Sequence, residues 1–215
     1  MATLELMLEF KRCELWSWDP HLRGQHQTAC LVKQRMTADG NVRVAYLGPR
    51  DQEAEKLVVA KMAYGKDVAF LDREYRVYMD NLRHLQGSVV PECYGLYHGK
   101  VEGERFGCML LEYCRGAVTY SVEQRNDEIM LAVCKLHQAG ILHRSLDDGH
   151  HIICSHLGVR IVDFADVVVN HRCVGAGPLL KHPNGTWVSG SSSPGCPELM
   201  LMEKIYGLLD HGCRR

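Results

Sequence analysis

Leu4, Leu6, Leu8 and Phe10 alternate with Glu5, Met7 and Glu9, and a period of two predicts a short half-buried strand. Residues 28–34 and 42–47 are β-prone runs flanking Thr37-Ala-Asp-Gly-Asn41, where Asp39-Gly40 predicts a hairpin. A polar connection over 48–56 leads to Leu57-Val-Val-Ala-Lys-Met62, a further strand in which Lys61 is an isolated cation. From Leu71 the period changes. Leu71, Tyr75, Tyr78, Leu82 and Leu85 recur at three- and four-residue steps, which makes one face of a helix with Glu74 at its edge. Residues 89–97 and 106–113 read as strands joined by a turn over 99–104, and 114–117 break the pattern. Ser121-Val-Glu-Gln124 has the form of a capping box, opening a helix that runs to about Gln138 and ends at Ala139-Gly140. Short β-type runs at 152–154 and 159–162 surround a turn at His156-Leu-Gly158. The Gly-, Pro- and Ser-rich stretch 170–196 reads as a long loop, and 199–209 as a last short helix. Strands come first and helices second, so the predicted class is α+β.

Composition narrows the choice of partner. A chain of 215 residues is expected to bury roughly 70% of its unfolded surface, and 46% hydrophobic with 24% charged residues excludes collagenous and disordered classes. With 25 Lys+Arg against 26 Asp+Glu the net charge is -1, which gives no electrostatic case for nucleic acid or an anionic membrane. The ten cysteines lie singly, most of them inside apolar runs. No stretch approaches the ~20 apolar residues of a spanning helix, and Glu5 and Glu9 interrupt the place of a signal-peptide core. The expected compartment is therefore intracellular, cytoplasmic or nuclear, with free buried thiols.

Three charges interrupt apolar runs: Lys61, Glu74 and Asp163, the last set between Val162 and Phe164. Taken singly each reads as a surface charge. Together they suggest a pair on adjacent elements and an oxygen ligand for a hard cation. Val59-Ala-Lys61, Glu74, Met109-Leu-Leu-Glu-Tyr-Cys114, Leu136-His-Gln-Ala-Gly-Ile-Leu-His-Arg-Ser-Leu146, Asp163-Phe-Ala165 and Cys196-Pro-Glu198 are similar, in order and spacing, to the signature motifs of the protein kinase family.

That resemblance implies an antiparallel-sheet N-lobe with one helix over 28–118, a reduced helical C-lobe over 119–215, and an N-terminal extension with a short strand over 1–27. It also implies ATP and Mg as cofactors. Lys61 and Glu74 would serve the phosphates, Glu112 and Cys114 would form the hinge beside Leu111, and Asp163 would hold the metal.

The departures from the family pattern bear on activity. Ser145 stands where the family places its catalytic aspartate, and His150 where it places a magnesium-binding asparagine. Ala165 replaces a glycine, and the first hairpin has no G-x-G-x-x-G loop. Asp147 or Asp148 could replace the base. The chain stops at Arg215, soon after the last motif, which predicts a reduced second lobe whose apolar surface around Leu199 and Leu201 a protein partner would cover.

The expected function is thus a pseudokinase that binds ATP with weak or no phosphotransfer. The alternatives are an atypical kinase using Mg-ATP and a nucleotide-free interaction module. His143, His150, His151, Cys154 and His156 crowd together in a way that invites a zinc site, but their spacing matches no standard zinc pattern.

Overall fold

In the computed structural model, which describes residues 1–8, 11–37, 40–50, 52–53, 56–115, 120–174, 179–181, 187–189 and 196–207, the chain forms two units. One comprises Met1–Arg76 with Glu92–Tyr113, the other Val77–Pro91 with Cys114–Arg215.

The first unit is a closed barrel. Its strands are β1 (Ala2–Leu8), β2 (Lys11–Ser17), β3 (His26–Arg35), β4 (Val42–Pro49), β5 (Lys56–Tyr64), β6 (Cys93–Val101) and β7 (Glu104–Glu112). They follow one another around the barrel as β1-β2-β6-β7-β5-β4-β3. Seven strands cannot alternate in direction around a closed ring, so one neighbouring pair has to be parallel. That pair is β1 with β3, in register from Thr3 opposite His26 to Met7 opposite Cys30. The interior is filled by Leu4, Leu6, Leu15, Val58, Tyr97, Phe106 and Leu110, with Ala2, Ala29, Ala45 and Ala60 leaving room for the two rings, as a narrow barrel requires. Where β2 meets β6, at Trp16 opposite His98, Gly99 lets the strands close: a Cβ there would stand 3.1 Å from the Glu14 carbonyl oxygen. Helix α1 (Val68–Arg76) buries Val68, Leu71 and Glu74 and packs on β5 and β7.

The second unit is organised around α2 (Val122–Gln138), whose Ser121 and Gln124 make the expected reciprocal cap: Gln124 N donates to Ser121 Oγ and Ser121 N to Gln124 Oε1. It packs on β9 (Gly158–Ile161) and α3 (Pro197–Tyr206). β8 (Ile152–Ser155) pairs with β9, and β10 (Leu179–Lys181) with β11 (Trp187–Ser189). The buried Arg160 side chain donates to the carbonyls of Gly87, Ser88 and Leu157 at 2.5, 2.8 and 2.9 Å. It thereby fixes the turn over 87–88 to the β8-β9 hairpin.

This architecture corrects the predicted fold class. A two-lobed protein-kinase-like fold has an open antiparallel sheet and a helical second lobe. Here the sheet is closed on itself by β1 and β2, and three α-helices are present among the described residues. The reason lies in residues 1–17. Ala2, Leu4, Leu6 and Leu15 point into the barrel and are fully buried, so the strand that the alternation announces, with β2 beside it, is part of the core rather than an extension.

The helix predicted over 71–85 is also shorter than its period suggests. α1 stops at Arg76 and is followed by a π-helical turn, Val77–Asn81, and a 3-10 turn, Arg83–Leu85. Leu199, expected at an exposed surface, is buried, whereas Met200, Leu201 and Ile205 are exposed. Asp39, Phe10 and the greater part of 175–195 lie outside the described residues. No helix among the described residues is long and apolar enough to cross a membrane.

Removing residues 1–17 would leave β3 and β6 with unpaired edges and expose Ala29, Ala45 and Tyr97, a recipe for edge-to-edge association. The truncated chain is expected to lose its cooperative urea transition and to self-associate in size-exclusion chromatography. An unchanged urea midpoint in a monomeric truncation would show that barrel closure contributes nothing.

Candidate functional site

In the barrel unit, Lys61 extends from β5, opposite Val42 and Met109 on its neighbours. Its Nζ lies 2.6 Å from Glu74 Oε2 on α1. Glu74 is 1% exposed and the Lys61 side chain 23%. A carboxylate at that depth needs a cation, and the lysine stem crosses apolar wall to supply one.

Of the predicted hinge residues, Glu112 is half-buried at the end of β7. Its backbone N–H donates to Glu92 O at 2.8 Å, and its carboxylate accepts from Glu92 N at 3.2 Å. Cys114 belongs to the other unit and is buried. Two open grooves in the barrel wall, one beside Trp16 and Trp18 and one beside Tyr64 and Glu102, are lined by neither Lys61 nor Glu74.

In the second unit, the loop over 143–151 and the turn at Asp163 come together. The buried His143 ring hydrogen-bonds through Nε2 to Val162 O at 3.0 Å. Phe164 is fully buried and meets Tyr78 and His143 edge-on, with ring centroids 5.3 Å away in each case. Asp163 and Arg144 both hold left-handed backbone conformations, at φ 70° and 77°. Such conformations persist in non-glycine residues only where neighbours over-determine them. For Arg144 the determinant is Glu198 on α3, whose carboxylate accepts from Arg144 N, from His143 N at 3.0 Å and from His137 Nε2 at 2.7 Å. Hydrogen bonds from His137 and the two backbone amides hold Glu198 below the usual carboxylate range against the opposing effect of its burial.

The structure places the predicted catalytic residues on this loop. Ser145 is half-buried and its carbonyl oxygen is hydrogen-bonded by His151 Nδ1 at 2.7 Å. Asp147 is exposed. Asp148 is exposed and tied to His150, accepting from its backbone N–H at 2.8 Å and facing its Nδ1 at 3.0 Å, which holds the carboxyl below its ordinary range. Asp163 Oδ2 faces His151 Nε2 at 3.4 Å. Of the histidines in this stretch, three have other partners: His143 on Val162, His150 on Asp148, and His151 on Ser145 and Asp163.

A different set comes together instead. His137, His171, Cys173 and Cys196 place one nitrogen or sulfur atom each within 4.8 Å of all the others. His171-Arg-Cys173 is the only local signal of this set, because His137 lies on α2 and Cys196 at the N-cap of α3, both far away in sequence. No protein-family model matches the chain, and no curated protein matches it.

Truncating Lys61 to Met would remove the cation that faces the buried Glu74 carboxylate, a loss of about 3–5 kcal/mol. A second change, Glu74→Leu, is expected to recover most of it. Urea denaturation of the two singles and the double gives the coupling, and additivity of the single effects would show that the pair does not act as one.

Burial lowers the affinity of His143 for a proton, with repulsion from His151 in the same sense. The Val162 carbonyl, Glu198 and Asp163 oppose it only in part. The unfolded chain then binds the proton more readily, so stability is lost as pH falls below the ordinary histidine value and is unaffected well above it. His143→Gln is expected to flatten the dependence between about pH 7 and 5, as read from urea midpoints. An identical slope in wild type and variant would count against the assignment.

Proposed function

We propose that the chain is a binding protein of the pseudokinase kind, taking up an adenine nucleotide through Lys61 and carrying out little or no phosphotransfer. The buried Lys61–Glu74 ion pair at 2.6 Å carries this reading. A pair of apolar residues of similar volume would serve the barrel wall as well or better. The ion pair instead holds an ammonium in a fixed direction, and such a group suits a phosphate oxygen.

The absence of efficient transfer is supported by the 143–151 loop. Ser145 has no carboxylate with which to accept a substrate proton, and Asp148 is occupied by His150. A misplacement of about 1 Å in a group of this type costs on the order of a hundredfold in rate. The reading rests on these residues and on their resemblance to kinase motifs; it makes no use of the two-lobed architecture that the barrel replaces. Magnesium, which the resemblance assigns to Asp163, is expected to strengthen nucleotide binding.

A thermal melt against ATP, with and without magnesium, tests this. Nucleotide at about 100 times its dissociation constant stabilises by about 2.7 kcal/mol, which for a chain of this size raises the midpoint by roughly 5–10 °C. Lys61→Met, compared with its own ligand-free melt, is expected to show no rise. A cooperative melt unmoved by millimolar ATP would sink the proposal in favour of a nucleotide-free interaction module. ATP turnover that Lys61→Met removes would replace it with an active phosphotransferase using Asp147 or Asp148.

A further inference from the structure

The cluster at the base of segment 171–196 has the composition and dimensions of a metal centre. We propose that His137, His171, Cys173 and Cys196 bind one zinc ion, which ties this segment to the C-terminal turn of α2 and to the start of α3.

The distances argue first. Around a tetrahedral zinc, with Zn–N near 2.05 Å and Zn–S near 2.3 Å, a nitrogen and a sulfur ligand lie about 3.6 Å apart. His137 Nδ1 lies 3.3 Å from Cys173 Sγ and 3.7 Å from Cys196 Sγ, and His171 Nε2 lies 3.4 Å from Cys196 Sγ. Nitrogen and sulfur alternate around one centre, and the two imidazoles stand nearly perpendicular, at 85° with ring centroids 5.4 Å apart. Two thiolates and two imidazoles in a tetrahedron select zinc over hard, oxygen-seeking cations. A two-iron cluster would need the histidines on one iron and the cysteines on the other, an arrangement that the interleaved distances oppose.

The surroundings argue independently. His137 is 2% and Cys196 3% exposed, so a metal there would be shielded from competing ligands. Glu198 Oε2 engages His137 Nε2 at 2.7 Å, which places the proton on Nε2 and turns the Nδ1 lone pair toward the two sulfurs. A carboxylate behind a histidine is the usual support of a zinc-bound imidazole. His137 sits in the last turn of α2, where the helix dipole favours a cation, and Cys196 stands at the N-cap of α3. With four protein ligands the coordination is closed, so the ion is structural. Binding releases the two thiol protons, and the same Glu198 carboxylate that orients His137 holds the His143 and Arg144 amides. Metal occupancy is thereby coupled to the loop that carries Ser145. The inference is independent of nucleotide binding.

The full chain, purified without a polyhistidine tag and without chelator, is expected to carry about one equivalent of zinc by elemental mass spectrometry. After chelation, cobalt(II) added in its place is expected to give the intense visible bands of tetrahedral coordination together with a sulfur-to-cobalt charge-transfer band. Chelation is also expected to lower the melting midpoint by about 10 °C or more. The double substitution Cys173→Ser, Cys196→Ser should abolish zinc uptake and both cobalt signals, while Cys30→Ser, at an exposed position on β3 of the barrel, should leave them intact.

Zinc at full stoichiometry in the double variant would overturn the proposal. So would a cooperatively melting wild-type protein that takes up neither zinc nor tetrahedral cobalt, or one whose intact mass shows a Cys173-Cys196 disulfide after anaerobic, thiol-containing purification. If the double variant does not fold, the cobalt spectrum of the wild-type chain decides alone.

Discussion

An ionised group taken out of water has to be given partners, and in each unit that requirement determines which elements meet. Glu74 is 1% exposed on α1 and is tolerated because Lys61 reaches it from β5. The pair therefore fixes the rotation of the helix against the barrel more tightly than apolar packing would, since a slip of one residue would part the buried carboxylate from its cation. In the second unit Arg160 is satisfied by four backbone carbonyls, and Glu198 by two backbone amides and His137. Each of these groups converts a loop without repetitive hydrogen bonding into a defined conformation. In the case of Glu198, the left-handed backbone at Arg144 is part of the result.

The barrel depends on a second constraint, that of parity. An odd ring of strands needs one parallel junction, and the junction requires two strands that are distant along the chain or joined by a crossover. The 3-10 turn at Pro20–Leu22, capped when Asp19 accepts from His21 N at 2.8 Å, lies on the path from β2 to β3. β2 leaves β1 on one side and β3 returns on its other side. Small side chains at Ala29 and Ala45 then leave space for Tyr97 and Phe106 in the same interior. Closure removes the free edges that an open sheet of these strands would present.

Much of this was legible in the sequence and some was not, for physical reasons. Local signals carried the individual elements: the alternation at 4–8 marked β1, the Ser121/Gln124 box marked the start of α2, and a lysine inside an apolar strand marked the need for a partner that Glu74 supplies. Pairing is nonlocal, so nothing in residues 2–8 distinguishes a strand added to an open sheet from one that closes it. The resemblance to kinase motifs therefore led to the wrong architecture while identifying residues that do pair. The π-helical turn at Val77–Asn81 went unannounced because neither proline nor glycine marks it. The histidine-rich stretch 143–156 drew attention by density alone, yet His150 and His151 are taken up by neighbouring carboxylates and a carbonyl.

The His and Cys cluster shows the same limit from the other side. His137 and Cys196 are 59 positions apart, and only the fold brings an α2 residue, a loop pair and an α3 cap to one point. Read as a sequence, Cys196-Pro-Glu198 invites assignment to one motif with one purpose. In the structure its two functional atoms have different tasks: the sulfur joins the cluster, and the carboxylate, two residues on, faces both His137 and the 143–144 amides. The ordering of the loop and the protonation geometry of His137 are consequently one problem in this protein. A carboxylate that must satisfy both cannot be moved to suit either alone, and a metal ion at His137 would act on the loop through that shared group without touching it.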